Sequence, residues 1–275
     1  MNNIEIVKNY INECRLSIIK IKQGDNTPIG EWKKFQTRKL NEQEIFNRFS
    51  NDTELRIAII CGEISGNLEA IKIANTSGKA EELFLQYKEL PDVQSILNKC
   101  VIEKAESGEL HIYYRCSEIS GKKQELAMWP KVTKTNNEQV VYETVIETCG
   151  EGAYIVCAPS KGYTLGQGGF DTISTISTDE RETLLSAART FNKKVTEAKV
   201  PSDRKKYQAG TPSSLYNKSD SAVKECENLL EKNGWKRNGG GYWLQPGKQN
   251  GISAIYEENR FRVVATNASP FQCAE

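Results

Sequence analysis

Between Leu55 and Ser160 the sequence is a succession of short apolar or alternating runs, "LRIAIICG", "LEAIKIA", "CVIEKA", "ELHIYYRCSE", "QVVYETVIET" and "GAYIVCAPS", set apart by turn-forming residues. Only one helical stretch interrupts them, "GKAEELFLQYKELPDVQSILNK", and Pro91 breaks it. The middle of the chain must therefore build a sheet. Helices flank it. "NIEIVKNYINECRL" places Ile4, Val7, Ile11 and Cys14 at helical spacing ahead of a strand in "SIIKIKQG". "NEQEIFNRFSND" reads as a short helix capped by Asn41 with Glu44 three residues on. "STDERETLLSAARTFNKKV" opens at Ser177 or Thr178 and carries Leu184, Leu185, Ala188 and Phe191 along one side. The expected class is α+β.

At 275 residues the chain has room for one sizeable core and a small appended module. The stretch "TEAKVPSDRKKYQAGTPSSLYNKSD" is polar, holds two prolines and lacks apolar periodicity, as a linker does. It predicts a domain over 1–200, a linker over 201–216 and a small C-terminal α+β module over 217–275. That module begins with the helix "DSAVKECENLLEKNGW" and continues in strands around "GYWLQPG", "GISAIYE" and "RFRVVATN".

Lys and Arg total 37 against 36 Asp and Glu, a net charge of +1, so any nucleic-acid groove must be local. No apolar run approaches the ~20 residues of a membrane span, and the N-terminus lacks the apolar segment of a signal peptide, so no membrane partner and a cytoplasmic location are expected. Eight scattered cysteines form no C-x-x-C pair and have a single histidine beside them, which favours buried, reduced thiols over zinc. "GYTLGQGGFD" puts Asp171 where a dinucleotide fingerprint needs its third glycine, and "YWLQPGKQ" lacks the first glycine and the Ser/Thr of a P-loop. Both read as turns.

Two strands carry the candidate chemistry. In the one starting at Leu68, alternation puts Ala70, Lys72 and Ala74 on one face and Glu69, Ile71 and Ile73 on the other. In "HIYYR", His111, Tyr113 and Arg115 share a face. A lone histidine there is readily a satisfied, partly buried residue, but with a guanidinium on the same face it also suits a phosphate pocket.

Four blocks in order, "TPIGEWKKFQTRKLNEQEI", "IAIICGEISGNLEAI", "SGELHIYYRC" and "IETCGEGAYIVCAPSKGYTL", resemble the N-terminal catalytic domain of bifunctional DNA primase-polymerases, of the archaeo-eukaryotic primase superfamily, carried by phages, plasmids and other mobile elements. The resemblance covers about residues 15–195. The C-terminal segment resembles one that often follows this domain in mobile-element replication proteins. The fold implied is an α/β unit beside a mixed sheet related to the RNA-recognition fold. The chemistry implied is nucleotidyl transfer assisted by two divalent ions, Mg or Mn, held on carboxylates.

Carried onto this chain, the resemblance assigns nucleotide contacts to Ser107, His111, Arg115 and Cys149. Cys149 stands where the family commonly has arginine. The acidic positions fall on Lys72, Ala74 and Glu147, and the first two carboxylates are replaced. Magnesium needs hard oxygen ligands that lysine and alanine do not supply, so as the chain stands no metal or other cofactor is expected. The expected function is a mobile-element replication protein that binds nucleoside triphosphate and single-stranded DNA or primer-template, with nucleotidyl transfer impaired and a replicative helicase as partner for unwinding. The alternatives are an active primase-polymerase with unorthodox metal ligands, and a catalytically dead relic acting through protein contacts. Limited proteolysis should cut first within 196–218 and leave a stable fragment of the first domain. Cleavage elsewhere first, followed by gel and mass analysis, argues against a linker there.

Overall fold

The computed structural model describes residues 2–119, 121–131, 140–194, 220–257, 260–269 and 271; the expected linker over 201–216 lies outside them. Helix α1 (Asn3–Asn12) and helix α2 (Glu42–Phe49) each begin in a capping box, from Asn2 and from Asn41 with Glu44. Val7, Ile11, Ile45 and Phe49 bury against strands β1 (Ser17–Lys20) and β2 (Ile57–Ile60). With β8 (Tyr154–Cys157) these strands form a three-stranded antiparallel sheet, β1-β2-β8.

From β2 the chain passes through a short 3-10 turn (Glu63–Ser65) into β3 (Leu68–Ile73), an interior strand of a six-stranded sheet. Gly62 makes that passage possible: its φ is +105°, and a Cβ there would lie 2.5 Å from the Glu151 carboxylate. Helices α3 (Ala80–Lys88) and α4 (Val93–Leu97) lead on to β4 (Val101–Ala105), which turns through Ser107-Gly108 into β5 (Leu110–Arg115). Strands β6 (Glu125–Lys131), β7 (Val141–Cys149) and β9 (Tyr163–Gln167) complete the order β6-β7-β3-β5-β4-β9.

The class is α+β, as expected, with one refinement. Every ladder in the sheet is antiparallel rather than mixed, and the parallel contact seen is the isolated bridge Arg115–Thr175. Two strands escaped the sequence reading, and both are sheet edges: β6 ends in Pro130-Lys131, and β9 contains Gly166 in a segment read as a turn. Proline and glycine weaken a strand signal, and edges tolerate them because one side of the strand needs no partner.

The two faces of the large sheet feed different cores. On the front, Leu68, Ala70, Val101 and Tyr113 pack with the three-stranded sheet. On the back, Ile71, Ile73, Ile112 and Tyr114 pack with α3, α4 and helix α5 (Thr178–Arg189), which Ser177 caps. After residue 219, helix α6 (Asp220–Lys232) precedes a four-stranded antiparallel sheet, β10 (Lys236–Arg237), β11 (Tyr242–Leu244), β12 (Ala254–Glu257) and β13 (Arg260–Val263). Ile252, Ile255 and Val264 join the core of α5, while Arg262 donates to the carbonyls of Thr190 and Asn192 at the end of that helix (2.9 and 2.7 Å).

Glu69 holds α5 to the back of β3. It is fully buried, and its carboxylate accepts two hydrogen bonds from Arg181 and one from the Tyr114 hydroxyl at 2.7 Å. Removing one partner of such a pair strands a charge in a dry interior. Arg181→Ala should therefore destabilise the fold by about 3–5 kcal/mol, read as a lower urea midpoint. A midpoint within error of the parent would show that Glu69 finds solvent or another donor.

Candidate active site

The front of the large sheet changes character along its strands. At one end Ala70 and Tyr113 are sealed beneath the three-stranded sheet; toward the other, Lys72 is partly exposed and Ser107 stands in the open β4–β5 turn. Register places one row of side chains across this boundary. Lys72 lies opposite His111 on one side and Glu147 on the other, His111 lies opposite Glu103, and Glu147 lies opposite Glu125. Directly opposed residues on one face are the closest cross-strand neighbours, so the row is a contact network.

The contacts alternate in charge. His111 Nδ1 lies 2.8 Å from Glu103 Oε2, and His111 Nε2 lies 2.8 Å from Glu109 Oε1. Lys72 Nζ lies 3.5 Å from both Glu109 Oε2 and Glu147 Oε1. Lys123 Nζ reaches Glu147 Oε2 at 2.5 Å and Glu125 at 3.6 Å. At the dry end, Glu103 accepts hydrogen bonds from the Tyr113 hydroxyl at 2.8 Å and from the Ala158 amide at 2.6 Å. Glu103 is 0% exposed and His111 1%, so water replaces none of these partners.

Burial by itself pushes the His111 imidazolium toward neutrality, but hydrogen bonds to Glu103 and Glu109 outweigh it and hold its pKa above the ordinary 6.5. With a carboxylate at each ring nitrogen, the doubly protonated ring is the form whose two N–H groups both find acceptors. For Glu109, burial raises the pKa, yet His111 and Lys72 leave it below its ordinary value. Burial lowers that of Lys72, and Glu109 and Glu147 more than restore it, so the ammonium stays charged. The Cys149 thiol is pushed up to about 12 by burial and by Glu147, which makes it a neutral neighbour and no nucleophile.

The structure brings Lys72, His111 and Glu147 together. Ala74 follows on the same face, its amide bonded to the Val145 carbonyl and its methyl offering no ligand. Ser107 lies beyond in the turn, where its carbonyl accepts from Asn75 and its hydroxyl from the Glu109 amide at 3.4 Å. Cys149 sits opposite Ala70, one step toward the sealed end.

Arg115 requires a correction. Its guanidinium donates to the carbonyls of Cys14 (2.7 Å), Ser65 (3.4 Å) and Ile173 (3.4 Å), and so ties the end of β5 to three connecting segments rather than completing a phosphate pocket with His111 and Lys72. Four residues along a strand carry it about 13 Å from His111.

Four members of the network were missed: Glu103, Glu109, Lys123 and Glu125, the last on the unread strand β6. Glu109 was accessible from alternation, two residues before His111, and Glu103 from the symmetry of a hairpin centred on Ser107. Lys123 carried no signal, because it arrives from the loop before β6.

The chain belongs to the bifunctional DNA primase/polymerase family, matching its N-terminal domain over residues 8–177. No curated protein matches it. The match ends where α5 begins, so α6 and the four-stranded sheet lie outside it. Membership supports a primase/polymerase-type part in DNA replication and implies binding of nucleotide and DNA. Among the described residues no helix is long and apolar enough to cross a membrane.

Enzymes of the family generally use divalent metals. The residues present here do not fit one: among the described residues no group of three or more His, Cys, Asp or Glu is arranged to hold a metal, and an ammonium stands between Glu109 and Glu147.

His111 is the only histidine, so its imidazole signals in a heteronuclear NMR titration are unambiguous. Its midpoint should lie above 6.5. A raised folded pKa stabilises the fold fully below the unfolded value and loses that contribution as pH rises through the folded one. The depressed Glu109 works in the opposite direction, losing its contribution as pH falls below its ordinary 4.5. The network should thus be at full strength between about pH 4.5 and 6.5. A midpoint below 6.5 would mean that burial wins over the carboxylates.

Proposed function

We propose that this chain is a mobile-element replication protein of primase-polymerase type, working in the cytoplasm. It binds a nucleoside triphosphate and single-stranded DNA or primer-template, carries out nucleotidyl transfer poorly or not at all, and relies on a replicative helicase for unwinding. The single observation behind the impaired chemistry is Lys72 Nζ at 3.5 Å from both Glu109 and Glu147. A pair of transferring metals would need those oxygens, and Ala74 adds none. Family membership supports the binding half. The polar end of the front face, where Ser107 is exposed and Lys72 partly so above the buried His111, supports triphosphate binding at this end of the sheet. The reading retains a primase-polymerase domain at 1–200 and a C-terminal module at 217–275, the latter docked through Arg262 and Val264.

A second reading, transfer with unorthodox ligands, draws its support from the same two glutamates, which would be available if Lys72 swung away. Primer-extension assays in Mg²⁺ and Mn²⁺ separate the two. The unaltered chain should give no measurable synthesis, while Lys72→Asp with Ala74→Asp should recover divalent-ion binding and extension, and either single change should restore much less extension. Template-dependent extension by the unaltered chain, abolished by Glu147→Ala, would establish the second reading. Binding of nucleotide and single-stranded DNA should weaken as salt rises. No binding at millimolar nucleotide would leave a relic that acts through protein contacts.

A further inference from the structure

Every carboxylate oxygen at the centre of the network is already occupied. Glu147 gives Oε1 to Lys72 and Oε2 to Lys123; Glu109 gives Oε1 to His111 and Oε2 to Lys72. Glu103 gives Oε2 to His111 and Tyr113 and Oε1 to the Ala158 amide. Lys72 is the only one of these donors that joins the Glu109 and Glu147 halves. It extends from the interior strand β3, with Glu109 beside β5 on one side and Glu147 on β7 on the other. Without it, two like charges would face each other across a gap with nothing between them.

We propose that Lys72 Nζ is a covalently attached counter-ion that takes the place of a divalent cation. It holds Glu109 and Glu147 in position and makes the centre independent of metal. A dication seated on Glu109 Oε2 or Glu147 Oε1 would share that oxygen with the ammonium and be repelled by it, so Lys72 both supplies the positive charge and keeps metal out. The flanking donors tighten the arrangement. His111 and Lys123 engage the outer oxygens, so neither glutamate can turn a free oxygen toward solvent without breaking a second ion pair. This deepens the proposed function, but the readouts below use neither nucleotide, DNA nor synthesis, so either idea can fail alone.

The test is thermal unfolding of the full chain with millimolar Mn²⁺ or with EDTA, together with electron paramagnetic resonance of Mn²⁺ as a direct measure of binding. The unaltered chain should melt at the same temperature in both solutions and leave the free Mn²⁺ signal undiminished. Lys72→Met keeps an unbranched side chain one atom shorter and removes the charge. It should lose about 2–4 °C or more in EDTA, regain most of the loss in Mn²⁺, and deplete the free Mn²⁺ signal. Lys72→Arg, which keeps the charge, should behave like the parent. If Lys72→Met does not fold in either solution, Lys72→Gln, whose amide keeps one donor, takes its place in the same comparison. Stoichiometric Mn²⁺ binding by the unaltered chain that Glu147→Gln removes would overturn the proposal. So would indifference to Mn²⁺ in both uncharged variants.

Discussion

The alternating line of charges from Glu103 through His111, Glu109, Lys72 and Glu147 to Lys123 is the interaction on which the middle of this molecule depends. It joins four adjacent strands, β4, β5, β3 and β7, through side chains, at the level where the front of the sheet passes from sealed to open. Ion pairs of this kind gain little over well-packed apolar residues, because desolvation offsets the Coulomb attraction. Their consequence is specificity of arrangement. Each member is tolerable only because its neighbours carry the opposite sign, so the network has one satisfied configuration and several costly ones.

Strand β3 carries charge to both faces. In front, Lys72 is bound by two glutamates; behind, Glu69 is bound by Arg181 and Tyr114. One strand thereby fixes the position of its sheet neighbours and of α5. The C-terminal sheet adds a further layer on that helix, with Arg262 neutralising the exposed carbonyls at the helix end and Gly251 donating to Asp92 ahead of α4. Contacts made by the segment outside the family match thus converge on the helices that back the candidate site.

Lys72 decides what the surrounding acids do. Glu109 and Glu147 are both paired with this side chain from the same sheet. The ammonium is not available to a phosphate unless it leaves them. Lys123 is engaged in the same way, and Arg115 is committed to backbone carbonyls of connecting segments. The cations close to the site are therefore largely matched by acids, in keeping with an overall charge of +1.

The helices and interior strands, the Asn41 cap, the start of α5 at Ser177 or Thr178, the α+β class, and the opposed faces of Glu69 and Lys72 were legible in the sequence, because caps and strand alternation are local properties of consecutive residues. So was the absence of carboxylates at Lys72 and Ala74. The edge strands β6 and β9 were not, since a strand that needs a partner on one side only tolerates the proline and glycine that disguise it. Nor were the partnership of Lys72 with Glu109 and Glu147, the approach of Lys123, and the commitment of Arg115 to carbonyls of connecting segments. Those depend on register between strands separated by as many as about eighty positions and on which carbonyls the folded chain leaves unpaired. Local periodicity set the face on which Lys72 stands; only pairing across the sheet decided that it would stand between two acids.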